Sequence, residues 1–156
     1  MPFAARVGSH LPMLPPDPVA LKLGYAGLAP FVLGALLVWL IGDRNLVAHA
    51  FVMLALSSYA AIIISFLGGI YWGLALRLPG ATHQPFVWGV VPGLAAWVAV
   101  VMPAYAGLVL HGVILVVCYL VDRKQYPVLG AANWLTLRFR LTVVAALSCF
   151  LAAAGS

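Results

Sequence analysis

Long apolar runs, separated by short polar or proline-containing stretches, divide the chain. Most of these runs reach or approach the roughly 20 residues that an α-helix needs to cross the hydrocarbon core of a bilayer. The pattern predicts an all-α integral membrane bundle of five transmembrane helices. It forms a single domain over residues 20–156, after an irregular cytoplasmic tail at residues 1–19. The predicted spans lie at about 21–41, 48–77, 86–102, 104–121 and 134–154.

Two of these spans depart from a simple straight crossing. The second run is about a third longer than a crossing requires, so it must tilt, protrude or break, and Gly68-Gly69 is the expected place for a kink. The last apolar run, Leu141–Ala154, is short for a crossing. It becomes adequate if the helix begins near Trp134 and nearby arginines extend to the interface. An interfacial or re-entrant segment is the alternative for this last run.

The second span contains small residues at every fourth position, which predicts a ridge of small side chains on one helix face. Close backbone approach along such a ridge is a main way for helices to associate in lipid. We interpret it either as a helix-packing surface or as a groove for a ligand lying against Gly68 and Gly69. The candidate residues are Ser57, Ala61, Ser65, Gly68, Gly69, Trp72 and Gly73.

The composition supports the membrane assignment. Hydrophobic residues make up 65% of the chain and charged residues 7%, far below the roughly 25% charged residues of soluble domains. The net charge of +5 comes from basic residues at the ends of the apolar runs. We therefore interpret these residues as topology signals and contacts for lipid headgroups, and not as a nucleic-acid surface. They include Arg77, Arg123, Lys124, Arg138 and Arg140.

The distribution of these charges predicts the orientation. On the five-span count, seven of the eight Lys and Arg residues lie on the side of the amino terminus. Only Arg44 lies on the other side. The positive-inside rule therefore places the amino terminus in the cytoplasm, or the matrix, and the carboxyl terminus outside.

The sequence offers little catalytic chemistry. The three aspartates sit at different span boundaries, and no serine-hydrolase, metalloprotease or phosphate-loop motif occurs. Cys118 and Cys149 fall inside apolar segments and are interpreted as buried small hydrophobes. We therefore expect a protein that is not an enzyme, with no catalytic residue, no metal and no cofactor.

His111 is the one titratable side chain predicted to lie deep inside a span. An intramembrane ionisable residue is a functional hypothesis by default. Its simplest role is a neutral imidazole bonded to a Ser, Thr, Tyr or carbonyl group of a neighbouring helix. A bis-histidine haem with His49, contact with a quinone or lipid, and proton relay are the alternatives.

Three short stretches carry a family resemblance: S-F-L-G-G-x-x-W-G at 65–73, Y-L-V-D-R at 119–123 and W-L-x-L-R-x-R-L-T at 134–142. Together they resemble an uncharacterised family, a domain of unknown function, of small multi-pass inner-membrane proteins of proteobacteria and mitochondria. The resemblance implies location and topology but no activity. Tyr71 stands where the resemblance leads us to expect a basic residue or histidine.

Two functional hypotheses follow. The leading one is a non-enzymatic accessory subunit or assembly factor that packs against another inner-membrane complex, such as a respiratory one, or against a second copy. The alternative is a binder or carrier of a quinone or lipid between spans two and four. The expected location is the cell inner membrane, or the mitochondrial inner membrane in a eukaryote. Besides the lipid bilayer and these partners, we expect no nucleic acid.

Overall fold

The computed structural model describes residues 17–77 and 83–156, and these residues form helices with no strand among them. The helices make five spans that are long and apolar enough to cross a membrane, so the predicted all-α, multi-pass fold is confirmed. The predicted tail at 1–19 lies mostly outside the described residues. The six helices are α1 (Pro18–Ala26), α2 (Ala29–Ile41), α3 (Leu46–Ala75), α4 (Gln84–Val101), α5 (Ala104–Val128) and α6 (Leu135–Ala154).

The first span consists of two helices, α1 and α2, with a break between them. Asp17 caps α1 by accepting hydrogen bonds from the backbone N–H groups of Val19 and Ala20, at 2.7 and 3.3 Å. The break precedes Pro30, which lacks a backbone N–H and is tolerated at the start of the next helix. The Tyr59 hydroxyl of α3 donates to the carbonyl of Gly27, at 2.9 Å, and so satisfies an acceptor at the break.

The second span, α3, is one continuous helix of 30 residues. Asn45 caps it by accepting from the Ala48 backbone N–H at 3.0 Å. At about 1.5 Å per residue the helix is about 45 Å long, which exceeds the roughly 30 Å hydrocarbon core. The helix is not broken at Gly68-Gly69, so tilt or protrusion accommodates the excess length.

The fourth span extends further than the sequence pattern predicts. We expected it to end at residue 121, yet α5 continues through Asp122, Arg123 and Lys124 to Val128. Arg123 and Lys124 are exposed, whereas Asp122 is buried and bonded to neighbouring helices. Because polar groups can end a hydrophobic stretch without ending a helix, hydropathy alone placed this boundary too early.

The helices pack around α3, which contacts α2, α4 and α5 extensively and α6 only slightly. At one end of the bundle, α6 is fixed by two long-range bonds: Trp39 Nε1 donates to the Leu151 carbonyl at 2.9 Å, and His49 Nε2 lies 3.1 Å from the Gly155 carbonyl oxygen. At the other end, α3 and α6 separate. The predicted orientation of the bundle in the membrane stays a prediction.

Candidate functional site

A cavity of about 520 Å³ lies where α3 and α6 separate, within the roughly 300–1,000 Å³ of small-molecule sites in proteins. Helix α1 and the start of α2 form its third wall, and α5 contributes at its edge. The lining is almost entirely apolar. The lining residues are Ala20, Leu23, Gly24, Gly27, Leu28, Phe31, Ile63, Phe66, Leu67, Ile70, Leu74, Leu115, Tyr126, Ala131, Trp134, Leu137, Arg138, Leu141, Thr142 and Ala145.

The α3 wall of the cavity extends from Ile63 to Leu74, which is about 16 Å along a helix axis at about 1.5 Å per residue. The cavity therefore follows α3 for about three helical turns.

A buried polar cluster, formed by Tyr71, Asp122 and Arg138, joins three helices at one end of the cavity. The Asp122 carboxylate accepts from the Tyr71 hydroxyl at 2.6 Å, and from Nε and a terminal nitrogen of Arg138 at 2.8 and 2.5 Å. Asp122 is 2% exposed and Arg138 is 7% exposed. The two charges therefore compensate each other in a site without bulk water.

This cluster corrects one sequence prediction. We expected Arg138 to mark the headgroup region, together with Arg77, Arg123, Lys124 and Arg140. The other four are exposed, as a headgroup or topology role requires, but Arg138 is buried against Asp122. Tyr71, expected to be basic or histidine from the resemblance, donates to the same carboxylate.

Thr142 is the second polar feature of the cavity wall. Its side chain lies one helical turn beyond Arg138 on α6, and the residue is 4% exposed. The buried hydroxyl oxygen Oγ1 has no hydrogen-bond partner among the residues that the structure describes. A buried hydroxyl without a partner costs about 1–3 kcal/mol in proteins, so this one is a candidate contact for a ligand.

The predicted small-residue ridge divides into two parts. Gly68 contacts α4 so closely that a Cβ atom would overlap the Gly89 carbonyl. A Cβ atom at Gly69 or Gly73 would meet nothing within 4 Å. The ridge winds around the helix, because four residues are slightly more than one helical turn. From Ser57, which is buried, to Gly73 the ridge rotates by about 160°, so its two ends face different directions.

The remaining motif residues strengthen the contact between α3 and α4. The Trp72 indole N–H donates to the Phe86 carbonyl at 3.0 Å, and the two rings pack edge to face with centroids 5.4 Å apart. Ser65 is exposed and Ala61 is half-buried. Thus Gly68 and Trp72 form a helix-packing surface, and no ligand groove lies over Gly68.

His111 is fully buried between three helices. Its Nε2 lies 3.2 Å from the Ala96 carbonyl oxygen of α4, and its Nδ1 lies 3.4 Å from the Ser57 hydroxyl of α3. Because a carbonyl only accepts, Nε2 carries the proton, and in the neutral ring Nδ1 accepts from Ser57. The predicted simple role, a neutral imidazole bonded to a serine and a carbonyl, fits this geometry.

The structure places the other candidate ligands apart. His49 bonds to Gly155 and not to a group near His111. Cys118 and Cys149 are buried free thiols, as predicted. Within residues 17–77 and 83–156, no group of three or more His, Cys, Asp or Glu side chains could hold a metal ion.

Sequence reasoning missed the cavity and the polar cluster. The alternative hypothesis placed a ligand between spans two and four, whereas the cavity lies mainly between spans one, two and five, with Leu115 and Tyr126 of span four at its edge. A usable signal did exist: Asp122 and Arg138 are opposite charges near facing span ends, and a charge inside a span needs a partner. The cavity itself left no mark in the sequence.

Comparisons with known proteins agree with the resemblance. Residues 16–154 match the family described as "Protein of unknown function (DUF3429)". The chain is 37% identical over 140 residues to a Xenopus tropicalis protein named "Transmembrane protein 69", an alignment that covers 83% of this chain and 51% of that protein. The chain therefore spans about half the length of this relative. No solved structure matches.

Proposed function

The chain belongs to the DUF3429 family of proteins of unknown function, and we propose that it binds a small lipophilic molecule within the membrane without transforming it. The observation that carries the proposal is the 520 Å³ apolar cavity between α1, α3 and α6. Large apolar cavities with a few polar groups are the usual form of small-molecule sites. The cavity is partly open to the surface of the bundle.

The location that goes with this function is an inner membrane, bacterial or mitochondrial. The resemblance of the sequence supports this proposal, as does the bias of Lys and Arg toward one predicted side. A lipophile dissolved in the bilayer could reach a site between helices by lateral diffusion, without passing through water. The protein would then act as a binder or carrier of that molecule.

Mass spectrometry of the purified protein tests this function. The protein is isolated in mild detergent, exchanged into detergent free of cellular lipid, and extracted with organic solvent. We expect one lipophilic species to be enriched above its share in the total membrane extract. The test variant is Leu67→Trp, which adds volume inside the cavity. The matched control is Gly69→Trp, at a position where an added Cβ atom meets nothing within 4 Å. Loss of the species in the first variant alone supports the cavity, and its absence from wild type contradicts the function.

A second candidate function is an accessory role in a larger complex. It is favoured by the open face at Gly69 and Gly73, which are separated by three residues and where an added Cβ atom would meet nothing within 4 Å. Glycines at this spacing let a neighbouring helix approach closely in membranes. The partner would be another membrane protein or a second copy of this chain.

Affinity purification in mild detergent tests the accessory role. We expect a stoichiometric partner, or a dimer, with the wild-type protein. Gly69→Leu should remove it while leaving the thermal stability of the isolated chain unchanged, because a Cβ atom at this position meets nothing within 4 Å. A wild-type protein that purifies as a monomer alone would contradict this role.

A further inference from the structure

We propose that the cavity selects an uncharged lipophile with one oxygen-bearing head group, and that Thr142 binds this head. The inference rests on the proposed ligand-binding function and adds the class of ligand. Its two supports are the unpartnered Thr142 hydroxyl and the electrical neutrality of the Asp122–Arg138 pair.

The apolar walls define the body of the ligand. Leu23, Leu67, Ile70 and Leu141 present only hydrocarbon to the cavity. A charged or strongly polar body would lose its hydration there without gaining hydrogen bonds. The apolar walls therefore call for a ligand whose body is mostly hydrocarbon.

The Thr142 hydroxyl defines where the head lies. Oγ1 can both donate and accept a hydrogen bond and has no partner in the described part of the chain. It is fully buried as the side chain stands, so a ligand oxygen in the cavity reaches it once Thr142 rotates about χ1. Valine has nearly the same shape as threonine and would fill this position without an unpaired polar atom. A hydroxyl at this position is therefore costly unless a ligand oxygen, such as that of an alcohol, ester or quinone, bonds to it.

The polar cluster defines the charge of the head. Arg138 is the one charged side chain among the described residues that line the cavity, and its Nε and a terminal nitrogen already bond to Asp122. An anionic head would need to displace the Asp122 carboxylate or lie in the cavity without a counter-charge, and either is costly. A neutral head meets neither penalty.

Fluorescence quenching by brominated probes tests this selection. Trp134 lines the cavity, so a brominated ligand bound there quenches its emission. The full chain is placed in nanodiscs of saturated phosphatidylcholine and titrated with a brominated long-chain alcohol. The matched probe is the alkyl sulfonate of the same length, which is charged at every working pH. Quenching by probe dissolved in the bilayer rises without saturation. Quenching by probe bound in the cavity saturates, and this saturable part disappears in Trp134→Phe because the reporting tryptophan is gone.

We expect a saturable component for the alcohol and none for the sulfonate. Thr142→Ser keeps the hydroxyl and should bind the alcohol like wild type. Thr142→Val should bind it about 3- to 10-fold more weakly, the usual worth of one hydrogen bond, with no loss of thermal stability. Equal binding by Thr142→Val, or tighter binding of the sulfonate, would overturn the inference.

The experiment also separates this inference from the proposed ligand-binding function on which it rests. If purified protein retains an enriched lipophile but the alcohol gives no saturable quenching, the assigned head group is wrong and the binding function stands. If the extract is empty and neither probe saturates, both fail.

Discussion

On the side of α3 that faces α4, two backbones touch at Gly68 and Gly89, whereas on the side that faces α6 a cavity of 520 Å³ separates the helices. The side toward α4 carries small residues at the contact. The side toward α6 carries the larger residues Ile63, Leu67 and Ile70, which line the cavity. One helix therefore supports both a tight interface and an open one.

The two sides also differ in how they treat polar groups. On the α4 side, Ser57, His111 and the Ala96 carbonyl satisfy one another. On the α6 side, the polar cluster is satisfied but Thr142 is not. In a membrane no bulk water compensates an unpaired polar group, so the cost of the Thr142 hydroxyl falls on this side.

The largest effect should come from breaking the polar cluster, in which Asp122 of α5 bonds to both α3 and α6. Asp122→Ala leaves the Arg138 charge buried without a partner, and removing one member of a buried ion pair costs about 3–5 kcal/mol in the free energy of unfolding. Thermal unfolding of the purified protein in detergent measures it.

The control replaces both charges. The double variant Asp122→Leu with Arg138→Met should lose much less stability than Asp122→Ala alone, because no charge is left unpaired. If Asp122→Ala were as stable as wild type, the cluster would not link the helices as described.

The next effect concerns the tight side. Gly68→Ala places a Cβ atom into the Gly89 carbonyl, so α3 and α4 must separate. Overpacking of this kind costs about 1–3 kcal/mol, and the same unfolding assay should show it. Gly69→Ala, one residue further along the helix, should change stability little, since its Cβ meets nothing. Equal losses in the two variants would show that Gly68 is not the contact.

The smallest effect concerns the open side. Gly24→Ala places a Cβ atom 3.4 Å from the end of the Leu141 side chain, which is an ordinary contact with a flexible group. Alanine also favours the helix by up to about 1 kcal/mol over glycine. We expect unchanged or slightly higher stability by thermal unfolding. A loss as large as that of Gly68→Ala would remove the distinction between the two sides.

Hydropathy predicted the spans because their lengths follow directly from the thickness of the bilayer. Hydropathy could not predict which side of α3 would pack tightly against a neighbouring helix. Gly68 and Gly69 are identical in sequence, and only the rotation of about 100° between consecutive helix residues puts one against α4 and the other outside. Arg138 was misassigned for a related reason. A basic residue near a span end has the same sequence signature whether it is exposed, as Arg140 is, or turns inward to a carboxylate.

The polar cluster also bears on how the protein is made. Asp122 leaves the ribosome 16 residues before Arg138, a delay of about 1–3 s at roughly 5–20 residues per second. During that interval the growing chain holds a carboxylate at a span end without its counter-charge. Insertion of the last span supplies the arginine, closes the cavity and ties Leu151 and Gly155 to the far end of the bundle. A chain that stops before the last span lacks the arginine that compensates Asp122.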